Sequence, residues 1–295
     1  MDELIVASRL VHFAAAALLF GAPLFRLAIA REEAPGGPGW EIVASVAALL
    51  SGLGWFAGVA ATMAGSFVDA ATPDILQAVT FDTRFGHLWI GRLIVLVAIF
   101  AIQLGGRPSR LRDGALVLLA AGFAASLVGV GHGMTGAGHG PIVARVHMIA
   151  DMVHLLCAAA WIGGLFCLAP LLHEVVIGRT ATEAARRALR RFSTMGYWAV
   201  ALVLITGCVN ALVMVPRPGS LISSEYGELL LLKLAFVALL VAIAIVNRVV
   251  LTPPIMAAAD STGLRRLWHS VVVEQGVGIL VLASVAWLGT VHPVP

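Results

Sequence analysis

Long apolar runs dominate the chain, and its polar residues are confined to short stretches between them. Runs of span length fall at about 5–29, 41–66, 88–104, 114–131, 142–171, 195–215, 229–250 and 270–290, since roughly 20 apolar residues of helix cross a bilayer core. The pattern predicts an all-α polytopic membrane protein, an eight-helix transmembrane bundle forming a single domain over 1–295. The breaks carry turn chemistry, as in Pro35-Gly36-Gly37-Pro38, Pro216-Arg217-Pro218-Gly219 and Pro253-Pro254. The first run follows an acidic Met1-Asp2-Glu3 with no basic n-region, so it reads as a retained helix and not a cleaved signal.

Composition names the solvent. Of 295 residues, 60% are hydrophobic and 12% charged, with a mean hydropathy of +0.98. Soluble domains carry about 25% charged residues, so this surface is coated by lipid. Eight spans consume about 160 residues, which leaves no room for a fused aqueous domain. Lys233, the single lysine, is followed by Leu234, so no P-loop exists. A net charge of +3 is too small to imply a nucleic-acid partner. Cys157, Cys167 and Cys208 lie in apolar runs without a C-x-x-C pair, and are expected to be buried small hydrophobes.

Charge then orients the bundle. One set of alternating connections and helix ends holds Arg26, Arg31, Arg107, Arg110, Arg112, Arg179, Arg186, Arg187, Arg190, Arg191, Arg248, Arg265 and Arg266; the other holds Arg9, Arg84, Arg92, Arg145, Arg217 and Lys233. The positive-inside rule places the arginine-rich set in the cytoplasm and both termini outside, periplasmic in a Gram-negative cell. Residues 180–191, rich in arginine, are expected to supply orientation charges or a basic helix lying on the lipid headgroups.

With that topology the histidines sort unevenly. His12, His87, His132, His139, His147, His154 and His292 fall on the outer side or in outer helix halves, whereas His173 and His269 are inside. A polar side chain within the membrane is costly and marks a functional hypothesis, and imidazole is a common metal ligand.

The fifth run is the most informative. Asp151 is four residues after His147 and three before His154, so the three project from one helix face. The two histidines are roughly 10.5 Å apart along the axis, too far to share one ion without other helices. Asp151 can hydrogen-bond one of them and set its tautomer. Met148 and Met152 add thioethers, and thioether with imidazole suits Cu(I). The bland alternative is a polar patch that holds helices together, with the methionines as core filler.

Further candidates lie at similar depth. His12 on the first helix can face the fifth helix across the bundle, and Met63 can supply a soft ligand or simply pack. Residues 131–140 run Gly-His-Gly-Met-Thr-Gly-Ala-Gly-His-Gly, placing His132, Met134 and His139 in a flexible outer loop suited to collecting metal, unless they are incidental to a turn. His87 precedes the third helix beside Trp89, an expected interfacial anchor, and is either a ligand or a headgroup contact. Among other intramembrane polar groups, Lys233 is expected to pair with Glu228, and Glu274 with Arg265 or Arg266, or else to pass a cation inward.

Three segments together resemble the copper resistance protein D family of bacterial inner-membrane proteins. They are Arg9-x-x-His12-Phe13 with Phe20-Gly21; Phe85-Gly86-His87-Leu88-Trp89-x-x-Arg92; and Asp151-x-x-His154-Leu155-x-x-Ala158-Ala159-x-Trp161-x-Gly163-Gly164-Leu165. The resemblance covers all eight spans in order. It implies a multi-pass protein of the inner membrane that moves copper between periplasm and cytoplasm, inward, beside a periplasmic copper-binding partner of the CopC type. The placement of the polar residues gives His12, His87, His132, Met134, His139, His147, Asp151 and His154 as the expected metal-site residues, and the resemblance gives copper, as Cu(I) or Cu(II), in a transport protein and not an enzyme. Two other readings stay open: a b-type haem electron carrier using two axial histidines among His12, His147 and His154, and a structural or sensory membrane partner.

Overall fold

The apolar runs fold as helices because a backbone in lipid must satisfy its own hydrogen bonds. The computed structural model describes residues 1–30, 39–105, 109–130, 140–215, 219–257 and 261–291. In chain order the helices are α1 (Asp2–Ala28), α2 (Gly39–Ala64), α3 (Phe67–Ala70), α4 (Pro73–Phe81), α5 (Arg84–Gly105), α6 (Arg110–Ala125), α7 (Pro141–Val176), α8 (Thr182–Met214), α9 (Ser220–Ser223), α10 (Glu225–Val246), α11 (Thr252–Ala257) and α12 (Ser261–Leu288). Eight are long and apolar enough to span a membrane, and no strand occurs among the described residues. Many large apolar side chains are exposed on them, as with Leu111, Leu118 and Leu212, because lipid and not water surrounds them.

Packing centres on α1 and α7, which contact each other and together touch α2, α6, α8 and α12. Glycine makes that central crossing possible. A Cβ at Gly21 would lie 2.6 Å from the Gly163 backbone, and one at Gly163 would run into the Ala17 carbonyl. Small residues let membrane helices approach this closely. α8 leans on α7, α10 leans on α12, and α8 and α10 share no substantial packing with each other. The result is a cleft floored by α7 and α12.

At the arginine-rich end, α1, α2 and α6 are tied by charge. Arg26 Nη2 lies 2.5 Å from Glu41 and 2.7 Å from Asp113, while Arg112 lies 3.5 Å from each carboxylate. Glu41 is almost fully buried, so this network replaces water for charges removed from it.

Three expectations change here. The basic stretch 180–191 is not a separate surface helix; from Thr182 it is the first three turns of α8. Ala184, Ala185, Ala188 and Leu189 recur at helical spacing and are buried in the core, which carries the helix straight into the span. Its arginines cap other helices: Arg191 donates to Ile29 O at 2.9 Å and Arg186 to Ile255 O at 2.8 Å, satisfying carbonyls that helix ends leave open. Second, α10 runs into a π-turn at Asn247–Leu251, where Pro253 and Pro254 cannot donate to the ladder. Third, the cysteines are free, but Cys157 and Cys167 are only partly buried and Cys208 is exposed.

Candidate functional site

The polar residues of the spans gather in three places. The first joins two of the sequence motifs. His12 is 1% exposed; its Nδ1 lies 3.0 Å from Ala48 O and 3.1 Å from Ser51 Oγ, and its Nε2 lies 2.6 Å from Arg92 Nη2. A guanidinium only donates, so Nε2 accepts and Nδ1 carries the proton, donated to Ala48 O. Arg92 also donates to Phe123 O at 2.8 Å and to Ser126 Oγ. Trp55, Trp89 and Phe123 enclose the ring at centroid separations of 5.4 to 5.7 Å, and Arg9 stacks over Trp55 at 4.8 Å. The R-x-x-H and W-x-x-R motifs therefore build one aromatic and cationic layer.

This corrects the expected position of His12. Its ring turns to α2 and α5, not to α7, and both nitrogens are engaged. Trp89 likewise packs against His12 and Trp55 inside the bundle and is not a lone interfacial anchor.

The second cluster lies on α7 where it meets α8, within reach of the charge of Lys233 on α10. His147 is 1% exposed, and neither ring nitrogen has a hydrogen-bond partner. Asp151 Oδ1 accepts from Asn210 Nδ2 at 3.0 Å. His154 Nδ1 lies 3.1 Å from Thr206 Oγ1, whose hydroxyl donates to Leu202 O at 2.5 Å. The threonine oxygen thus accepts from His154 Nδ1–H, which leaves the Nε2 lone pair open. Lys233 is near enough for its charge to act on Asp151 and His154, and it forms no ion pair with Glu228 among the described residues. Asp151 turns to Asn210 instead of bonding either histidine, so α8 and not a neighbouring imidazole fixes this carboxylate. Thr206 and Asn210, missed as partners, stand four residues apart on α8, a spacing that puts them on one face.

The third cluster is deeper, toward the arginine-rich end. Glu274 is 3% exposed. Trp161 Nε1 donates to its Oε1 at 3.2 Å and Asn247 Nδ2 to its Oε2 at 2.7 Å. It does not pair with Arg265 or Arg266, which lie eight or nine residues earlier, roughly 12 Å or more along the same helix.

The other expected ligands stand apart from these clusters. His87 is exposed at the start of α5, and Met63 is also exposed. His132, Met134, His139 and His292 lie outside the described residues. Among the described residues no three His, Cys, Asp or Glu side chains converge as a preformed metal cage. Nor do the three histidines expected for a haem, His12, His147 and His154, face one another as an axial pair. His12 has no free nitrogen, and His147 and His154 rise from one helix, not from facing ones.

Fold and site define an all-α, multi-pass membrane protein whose buried polar groups line helix interfaces. Residues 1–141 match the copper resistance protein D-like N-terminal domain, and residues 186–288 match copper resistance protein D. The chain is 32% identical to inner membrane protein YebZ of Escherichia coli (strain K12), over 98% of both chains. It is 31% identical to copper resistance protein D of Pseudomonas syringae pv. tomato, over 99% of this chain and 97% of that one. To copper transport protein CutJ of Bacillus subtilis (strain 168) it is 27% identical, over 77% of this chain but 40% of that protein. No solved structure matches it. This chain belongs to the copper resistance protein D family, and it is a multi-pass protein of the inner membrane.

Proposed function

We propose that the protein serves copper homeostasis by taking copper ions from the periplasmic face and passing them inward, with both termini periplasmic and no catalytic role. Copper is cargo in this reading. The relatives named for copper resistance and copper transport support the ion, and the arginine asymmetry supports the orientation. His147, Asp151 and His154 form the entry site in the outer half of α7. The observation that carries this is His147: a fully buried imidazole with both nitrogens unused is costly unless a ligand completes it. His154 contributes Nε2, and Asp151 contributes a carboxylate already oriented by Asn210. Met148 and Met152 flank the stripe with soft donors. His132, Met134 and His139 precede α7 directly in sequence and collect the ion for it, with a CopC-type protein as periplasmic donor. His12 and Arg92 act as a structural lock beside this path, and His87 as a headgroup contact.

The test is copper accumulation in cells expressing the wild type, His147→Ala or Asp151→Ala at matched membrane levels. The reading expects raised accumulation with the wild type and vector-level accumulation with either variant. Accumulation that is equal in all three, or raised by the variants, overturns it.

A further inference from the structure

The stripe of α7 that carries His147, Asp151 and His154 continues at helical spacing through Ala158 to Trp161, Leu165 and Leu168. Those last three line a cavity of about 370 Å³ in the cleft between α8 and α10. Along α8 the cavity runs from Leu189 to Leu204, roughly 22 Å at 1.5 Å per residue. It stops two residues short of Thr206, the partner of His154. Its walls are apolar except near the arginine-rich end, where Glu274, Asn247 and Arg248 face it.

Glu274 is the anomaly. A carboxylate within the membrane needs a compensating positive charge, and among the described residues no cation pairs with it. Its two bonds come from neutral donors, Trp161 and Asn247. Asn247 is itself more than nine-tenths buried, and its Oδ1 has no partner. A buried carboxylate and an unused amide acceptor thus border one cavity. Asn247 opens the π-turn, a feature that recurs at functional positions in helices.

The charged and titratable groups on the surrounding elements are committed elsewhere or stand off. On α7, His173 lies against Trp268 at 5.1 Å, and the thiols Cys157 and Cys167 pack into the apolar core. On α1, Arg26 is spent on Glu41 and Asp113. Across the cavity, α8 brings Tyr197 to its wall, while Arg190 and Arg191 bond to Met256 and Ile29. Residues 252–257 of α11 hold no titratable side chain. Arg248 donates to Ser193 O at 2.9 Å and does not reach the carboxylate, and Lys233 of α10 serves the outer cluster. Oxygen donors alone, in a small space, suit a proton better than a soft metal ion.

We infer that Glu274 is a proton-binding site, loaded and emptied through the α8/α10 cavity from the arginine-rich face. The step is –COO⁻ + H₃O⁺ → –COOH + H₂O, with Trp161 and Asn247 holding the ionised form and the Asn247 amide turning to accept from the acid. On the copper reading proposed above, an ion leaving the His147–His154 stripe inward meets this cavity next along α7.

The test uses the full-length protein in nanodiscs with no copper present, so its outcome does not depend on the copper reading. A hydrophobic carbodiimide adds to a protonated carboxylic acid and leaves an N-acylurea readable by peptide mass. The expected result is an adduct on Glu274 in acid buffer whose yield falls as the buffer is made alkaline, by about tenfold per pH unit above the midpoint of a one-proton equilibrium. Infrared difference spectra on the same wild-type sample are expected to show a protonated carboxyl band with the same midpoint, missing in Glu274→Gln. Absence of an adduct at every pH, or a yield that ignores pH, overturns the inference, as does a carboxyl band that persists in Glu274→Gln.

Discussion

The crossing of α1 and α7 fixes the helix that carries His147, Asp151 and His154 and lines the Glu274 cavity, and one substitution tests it cleanly. Gly163→Ala adds a single carbon, yet that carbon meets the Ala17 carbonyl and comes within 3.0 Å of Gly21 Cα. Both neighbours are backbone, so no flexible side chain can move aside. Overpacking of this kind costs about 1–3 kcal/mol. Gly122→Ala in α6 is the matched control, because a Cβ there meets nothing within 4 Å. The two variants share the gain of roughly 0.5–1 kcal/mol from replacing a helical glycine, so the gap between them isolates the steric term. Equilibrium unfolding in mixed detergent micelles, read by helical circular dichroism, measures that gap. Gly163→Ala is expected to unfold at lower denaturing-detergent fraction than Gly122→Ala. If the two coincide, or Gly163→Ala is the more stable, the helices do not meet at this glycine and the reasoning fails.

The same unfolding assay reads two further changes. Glu41→Gln removes the charge that holds Arg26 and Arg112, and the buried ion network then loses about 3–5 kcal/mol; no change in stability would mean that water already screens it. Arg92→Lys keeps the charge but not the fork that reaches His12, Phe123 and Ser126 together; a loss of about 1.5–3 kcal/mol is expected, and full retention would show that charge alone suffices. Thr206→Val leaves His154 in place but removes the oxygen that accepts from Nδ1. Copper affinity of the purified protein is expected to fall about 10-fold or more, and unchanged affinity would remove His154 from the ligand set.

The spans were legible from hydropathy alone because lipid rewards uninterrupted apolar runs. All eight runs correspond to helices, although α7 extends to Val176 and α8 starts at Thr182, since polar ends that leave the bilayer still continue the backbone ladder. The α7 stripe was legible too, as His147, Asp151 and His154 are related by helical spacing within one element. Partners across helices were not. His12 could be placed in depth, yet nothing in its neighbourhood states that α1 turns that face to α2 and α5. Asp151 pairs with Asn210 and Glu274 with Asn247 and Trp161, contacts that span from 27 to 113 residues. Those pairings follow from how α8 and α12 pack on α7 and α10 on α12, an arrangement that the spacing of polar residues along one helix does not state.

Copper absorption at the K-edge, recorded on purified protein loaded with a reducing agent present, reads whether the α7 stripe binds the ion. Imidazole nitrogen is expected in the first coordination shell for the wild type and for His12→Asn. Bound copper is expected to be lost in His147→Ala with Asp151→Ala, at unchanged helical content. Copper retained with the same spectrum in that double variant would contradict the assignment of the α7 stripe as the metal site.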